Sequence, residues 1–338
     1  MNTLNLKTKI LTALMLFAIF LTWFVLEITK PHSCTIFTAV QGETVLFGDN
    51  WDYHEGELVI GFYPPSTNSY GSVHFGYQDG ERQSYQRAVN DQGLAWAVNS
   101  IPKGKLNLHP ELPYSYIEDE FLYTILKKAA TVEEALQIAQ KFDFGDSMIA
   151  QIHIADISGD AVVIDPGLDG EIAFTRKPAG DGYLLSTNFN LAIPEKGPVD
   201  FRWDTATSML ETLGKSQTLT PEFGGEILNA VHLRTLTTHT LQSNVIDLKN
   251  GDIYIYYMSQ YDEAVKLNID DELAKGNRVI ETRSLFSDEI AKAGDASYHA
   301  FETRFRVALV VVILVGLGLV GVGVAWITKK IKMRNKAG

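Results

Sequence analysis

Residues 307–327, VALVVVILVGLGLVGVGVAWI, are 21 consecutive positions without a charge. At about 1.5 Å per residue, a helix of this length crosses a hydrocarbon core roughly 30 Å thick. Arg304 and Arg306 precede the run, and Lys329, Lys330, Lys332, Arg334 and Lys336 follow it. That excess of cations predicts a transmembrane helix whose tail, 328–338, is cytoplasmic. Trp326 falls where an interfacial aromatic belongs, and the glycines at 316, 318, 321 and 323 do not repeat at the GxxxG spacing of a helix dimer.

A second apolar run, ILTALMLFAIFLTWFV (10–25), follows Lys7 and Lys9. A basic start and an apolar stretch are the pattern of a secretory signal, and the length also permits an uncleaved signal-anchor. Ser33 is small enough to end a cleavage site, whereas Pro31 fits poorly two residues before it. PHSC lacks the apolar and small residues of a lipobox. The expected organisation is therefore a signal peptide or signal-anchor (1–33), an ectodomain (34–285), a polar stalk (286–306), a transmembrane helix (307–327) and a basic tail (328–338). Such a chain sits in the cell membrane as a single-pass protein after signal removal, its body extracytoplasmic.

Of the net charge of −12, the first 33 residues contribute +2 and the stretch after 306 contributes +5, which leaves the middle at −19. An acidic body repels phosphate backbones, so nucleic acid is not an expected partner. One cysteine excludes an intramolecular disulfide and any multi-cysteine metal site. The eight histidines lack ligand spacing, so neither metal nor cofactor is expected.

Between the apolar runs the chain alternates blocks of strands with blocks of helices. CTIFTAV and TVLFGDN are β-rich runs joined by QGE, a hairpin signal. LVIGFYPP, SVHFGYQ and LAWAVNSIP continue the series. A helical stretch is expected at about 115–142, containing TVEEALQIAQKF, where Thr131 and Glu134 stand at capping-box spacing. Strands return in SMIAQIHIAD, DAVVIDP, GEIAFTR and GYLLSTN. Helices are expected at about 200–214 and 221–231, strands near 236–247 and in DIYIYYMS, and a short helix near 269–275. Blocks of this kind read as α+β with antiparallel pairing.

The lone cysteine, Cys34, opens this body. If the chain is cut before it, Cys34 carries its own α-amine, whose pKa of about 7.7–8.0 is far nearer neutrality than a lysine's. That amine is able to take the thiol proton, so nucleophile and base reside on one residue. A buried inert thiol is the alternative.

The sequence after Cys34, SCTIFTAVQGETVLFGDNWDY, resembles the linear amide C–N hydrolases: choloylglycine (bile-salt) hydrolase, penicillin V acylase and acid ceramidase. These begin with Cys-Thr and carry a G-R-N-x-D element downstream. The G-x-N-W-D form looks closest to acyl-CoA:isopenicillin N acyltransferase. VNDQGLAWAVNSIP, LLSTNF, DFRWDTATSML and SNVIDLKNGDIYIYY are similar to further family segments in the same order, so the likeness spans about 34–275.

The resemblance implies an Ntn-hydrolase αββα four-layer sandwich with antiparallel sheets, to which this chain adds the C-terminal transmembrane helix. It implies Cys34 as nucleophile, with its freed amine as base, and Asp52 as the carboxylate that orients both. Asn188 becomes the oxyanion asparagine, Asn99 a second one, and Arg202 the arginine of the active-site network. One position departs: Asp49 stands where bile-salt hydrolases and acid ceramidase have arginine, which argues against bile-salt and ceramide substrates. The partners implied are a small-molecule N-acyl amide and, through 307–327, the lipid bilayer; the oligomeric state is left open. Three readings stand: an amidase working through a Cys34 thioester, an acyltransferase with the same nucleophile, and a binding ectodomain on the same scaffold. Trp51, Tyr53, Phe62 and Tyr63 either pack the core or line an acyl pocket.

Overall fold

The computed structural model describes residues 34–53, 57–115, 120–193 and 200–334, with positions 12, 15, 17 and 21 in the amino-terminal segment. The rest of the amino-terminal apolar run, the Ser33–Cys34 junction and the last four residues of the basic tail lie outside the described residues. The chain divides into two units, Pro31–Tyr298 and the terminal segments Met1–Lys30 with His299–Gly338.

The larger unit is built on two antiparallel sheets. The six-stranded sheet runs β10 (Gly182–Ser186), β1 (Thr35–Gln41), β2 (Thr44–Tyr53), β11 (His239–Asp247), β12 (Asp252–Tyr257) and β13 (Gln260–Asn268). The eight-stranded sheet runs β14 (Arg278–Glu281), β3 (Glu57–Tyr63), β4 (Ser72–Asp79), β5 (Arg82–Asn90), β6 (Ala95–Lys105), β7 (Ser147–Ala155), β8 (Ala161–Pro166) and β9 (Ile172–Lys177). The central strands have both faces covered, and period-two side chains sort into separate cores. Ile36, Phe47, Trp51, Ile60, Phe75, Ala97 and Ile255 fill one cluster between the sheets.

The outer faces carry helices. α1 (Leu122–Lys128) and α2 (Val132–Ala139) pack Leu122, Ile125 and Leu136 against Trp96, Val98 and Ile152 of the large sheet. α3 (Phe201–Leu210) and α4 (Pro221–Ala230) pack Ala206, Leu210 and Ile227 against Phe37, Leu46 and Val245 of the small one. α5 (Ile269–Leu273) is the short helix expected near 269–275. The stretch expected as helix at 115–142 resolves into α1 and α2. Ala129 leaves helical geometry at φ −104°, ψ 133°, and Thr131 starts afresh by accepting from the Glu134 amide at 3.2 Å.

α6 (Asp288–Arg334) is 47 residues long. Its first turns, in the larger unit, bury Ala291 and place Asp295 2.8 Å from the Tyr257 hydroxyl and Ser297 2.9 Å from His239. Within Asp288–Gly323 the helix is long and apolar enough to cross a membrane, and only 6% of its most apolar window is buried.

Candidate active site

β1 and β2 pair from Gln41↔Thr44 back to Thr35↔Asn50, which brings the start of β1 beside the end of β2. The glycine of the G-x-N-W-D element is required by this pairing. Gly48 faces Phe37, and a Cβ at 48 would lie 2.3 Å from the Phe37 ring. The hairpin puts Cys34 at the mouth of the inter-sheet core, 4% exposed, and Asp52 fully buried next to it.

The chain then supplies the remaining groups from distant segments. The Cys34 amide donates to Asn188 Oδ1 at 3.0 Å. Arg202, in the first turn of α3, donates from Nη1 to the Cys34 carbonyl at 3.1 Å and from Nη2 to Asn188 Oδ1 at 3.0 Å. Its Nε and Nη2 grip Asp200, the N-cap of the same helix, at 3.0 and 2.7 Å. Arg202 Nη1 also lies 3.7 Å from Asp52 Oδ2. Asp52 Oδ1 accepts from the Thr240 hydroxyl, and Oδ2 has no hydrogen-bond partner among the described residues. Four of the five residues expected from the sequence, Cys34, Asp52, Asn188 and Arg202, therefore meet in one connected cluster.

Asn99 is placed beside this cluster on β6. Its Nδ2 donates to Ser186 Oγ and to the Thr187 carbonyl, both at 3.1 Å, leaving Oδ1 without a partner among the described residues. Its amide hydrogens are thus engaged with the strand end that carries Asn188. Asn188 itself turns its oxygen, not its nitrogen, toward Cys34, because the Cys34 N–H and the guanidinium are both donors. Its Nδ2 donates to the Ser100 carbonyl at 2.7 Å.

Burial dominates the electrostatics. It pushes the Cys34 thiol up to about 11, against the pull of Arg87 and the Asp52 amide. It pushes Asp52 up to about 7, against the charge of Arg202 and the Thr240 hydrogen bond.

Several site groups were not read from the sequence. Thr240, Asp200 and Gln151, whose amide donates to the Thr187 carbonyl, are three. His153 links Thr38 Oγ1 and Ser186 Oγ, each at 2.9 Å, across the two sheets. Arg87, on β5, places Nε 2.5 Å from Asp49 Oδ1. The visible signal was polar residues at alternating positions inside apolar strands, as in MIAQIHIA. Of the four aromatics, Trp51 and Phe62 are core, Tyr53 stacks on Trp51, and Tyr63 hydrogen-bonds Tyr85 at 2.8 Å.

No family model and no curated protein matches the sequence. Solved structures do match. A variant of the conjugated bile acid hydrolase from Clostridium perfringens superposes with a TM-score of 0.54 at 16% identity, over 73% of this chain and 95% of that one. A second variant of that enzyme gives 0.55 at 16% identity, over 73% and 96%. Penicillin V acylase from Agrobacterium tumefaciens gives 0.49 at 15%, over 73% and 90%. The fold is that of the Ntn-hydrolase linear amide C–N hydrolases, as the sequence resemblance implied.

Proposed function

We infer that this chain is a membrane-anchored, extracytoplasmic N-terminal-cysteine hydrolase that cleaves a linear N-acyl amide through a thioester on Cys34. One observation carries the reading: the amide and the carbonyl of Cys34 are both held, and the carboxylate beside it has an oxygen in reserve. The amide meets Asn188 and the carbonyl meets Arg202, while Asp52 Oδ2 lacks a hydrogen-bond partner among the described residues. A secondary amide at Cys34 has one hydrogen, already on Asn188; an α-ammonium has three, and a second one answers Asp52. A buried acceptor without a partner costs about 1–3 kcal/mol, which supports the free-amine form.

Once the bond before Cys34 is hydrolysed, the α-amine takes the Sγ proton, and the ammonium, paired with Asp52, favours the thiolate. Sulfur attacks the amide carbonyl. The resulting oxyanion is assigned to Nδ2 of Asn188, which also donates to the Ser100 carbonyl, while Asn99, its amide on Ser186 and Thr187, steadies the strand end that carries Asn188. The C–N bond breaks, the leaving amine takes a proton from the ammonium, and a thioester remains. Water then gives a proton to the α-amine as its oxygen attacks the thioester. Collapse releases the carboxylic acid and returns the thiol.

Membrane anchoring is supported by the apolar segment of α6, and the outward placement of the body by the cations after it. Outside the cell acyl-CoA is a poor donor, which favours water over a second amine as acceptor. Asp49, in place of arginine, points away from bile salts and ceramides.

Amino-terminal sequencing and intact mass should find Cys34 as the first residue of the working protein. Cys34→Ala should fold normally and lose roughly a thousandfold or more of amine release from a panel of N-acyl amides. An intact Ser33–Cys34 bond in active protein, or an unimpaired alanine variant, would overturn Cys34 as the amino-terminal nucleophile, and protein that releases no amine from any substrate would leave the binding-ectodomain reading.

A further inference from the structure

We propose that Arg87 is the cation that sustains the Cys34 thiolate, delivered from the opposite sheet to replace the positive charge that Asp49 displaces from β2. The proposal rests on the amidase reading for its purpose, though not for its test.

Arg87 is 2% exposed. It pairs with Phe75 and Ala97, both members of the inter-sheet core, so its side chain enters the space that Cys34 faces. Burying a guanidinium is costly and cannot be relieved by losing a proton, because arginine stays charged. A buried arginine therefore has to be compensated, and this one is compensated incompletely. Its guanidinium carbon lies 4.6 Å from the centre of the Trp51 ring, and its Nε touches Asp49. Neither Nε nor Nη1 has an aligned acceptor among the described residues, and the 2.5 Å approach of Nε to Asp49 Oδ1 is a close ion-pair contact. Asp49 meanwhile accepts from Asn244 at 3.1 and 3.3 Å.

The register places this pair next to the nucleophile. Asp49 is the direct partner of Ile36, two residues along the same face of β1 from Cys34. Trp51 is two residues further on β2, toward Cys34. Beside this geometry, burial raises the Cys34 thiol and the Arg87 charge opposes it. Burial also pushes the Asp49 carboxyl up, so Asp49 offsets less of the guanidinium than a solvated carboxylate would. Asp49 is in this account a positioning residue, and Arg87 an electrostatic one that acts through the sulfur's proton equilibrium.

The chain has a single thiol, so its titration can be read without ambiguity. Full-length protein in detergent is alkylated with iodoacetamide across a pH series and followed by intact mass, with ultraviolet thiolate absorbance as a second readout. Arg87→Met should raise the midpoint of thiol ionisation by about one pH unit or more, a tenfold loss of alkylation rate below the midpoint. Arg87→Lys should restore most of it. Asp49→Asn, which keeps the cation, should lower the midpoint or leave it in place. A midpoint unmoved by Arg87→Met, a lysine variant as impaired as the methionine one, or an Asp49→Asn rise matching Arg87→Met would each overturn the proposal. If the methionine variant does not fold, the lysine and asparagine variants decide alone. Alkylation needs no substrate. A chain that cleaves no amide yet shows this Arg87 dependence refutes the amidase reading only, and a working amidase with an Arg87-independent titration refutes this one only.

Discussion

Arg202 and Arg87 are both buried beside Cys34, and they are built in opposite ways. Arg202 has every nitrogen engaged: Nε and Nη2 on Asp200, Nη2 also on Asn188, Nη1 on the Cys34 carbonyl. Arg87 has one charge contact, one aromatic face and, among the described residues, two nitrogens without aligned acceptors. A group with all its donors fixed sets geometry; a group with donors in reserve supplies field. The first prediction tests that contrast where it is largest. Arg202→Met leaves Asp200 and Asp52 without their shared cation and should cost about 3–5 kcal/mol in urea unfolding. Arg87→Met strands only Asp49, which burial already drives toward its neutral form, and should cost clearly less. Equal losses would erase the distinction.

Asp52 belongs to the Arg202 side and gives the contrast a pH dependence. In the uncut chain burial lifts its carboxyl from 3.8 to about 7. Between those values the folded state holds a proton that the unfolded state has released. This group's contribution to stability therefore falls as pH rises from about 4 to about 7, and is level above. Asp52→Asn removes that slope. In a chain carrying an uncleavable amino-terminal extension, the variant should gain on the parent steadily across this window, by urea midpoint. In the cut chain the new ammonium pulls Asp52 back down, so the gain should shrink. A difference between parent and variant that ignores pH in both forms would show that burial does not govern Asp52. The same cut should move Cys34 alkylation, which burial holds at high pH in the extended chain, to markedly lower pH.

How far the sequence reaches is visible in these same residues. Cys34, Asp52, Asn188 and Arg202 were legible because each lies in a short segment whose order along the chain could be compared with a family's. The contact between Cys34 and Asn188 then closes 154 positions of chain. The strands were legible as β-rich runs bounded by turn residues, and the Thr131 cap from its spacing. What the cap does to the helix before it was not read. A cap needs its residue extended, so one expected helix becomes two. Arg87 was missed for a different reason. RQSYQRAVN opens on three polar residues and was not expected as a strand, and only the pairing of two sheets buries its Arg87–Asn90 end. Asp49 was seen as a departure, but its partner on β5 is fixed by tertiary packing. Thr240 and His153 are hidden in the same way, their burial set by strands far away in the chain.

The smallest effect tests Arg87's aromatic contact. With the guanidinium carbon 4.6 Å from the Trp51 centroid, a cation–π term of about 0.5–2 kcal/mol is expected on top of packing. Trp51→Leu removes the ring but also alters the core around it, so the single variant does not isolate the term. A double-mutant cycle does. If the ring holds the cation, Trp51→Leu should cost more in the parent than in Arg87→Met, the difference being the coupling. Trp51→Phe, with a smaller π face, should fall between. The mirrored control is Arg202. That guanidinium is held by carboxylate, amide and carbonyl oxygens, so Trp51→Leu should cost the same in the parent as in Arg202→Met. Coupling of Trp51 to Arg202 as large as to Arg87 would mean that the two arginines share one network, and that the division between geometry and field fails at the ring that was meant to mark it.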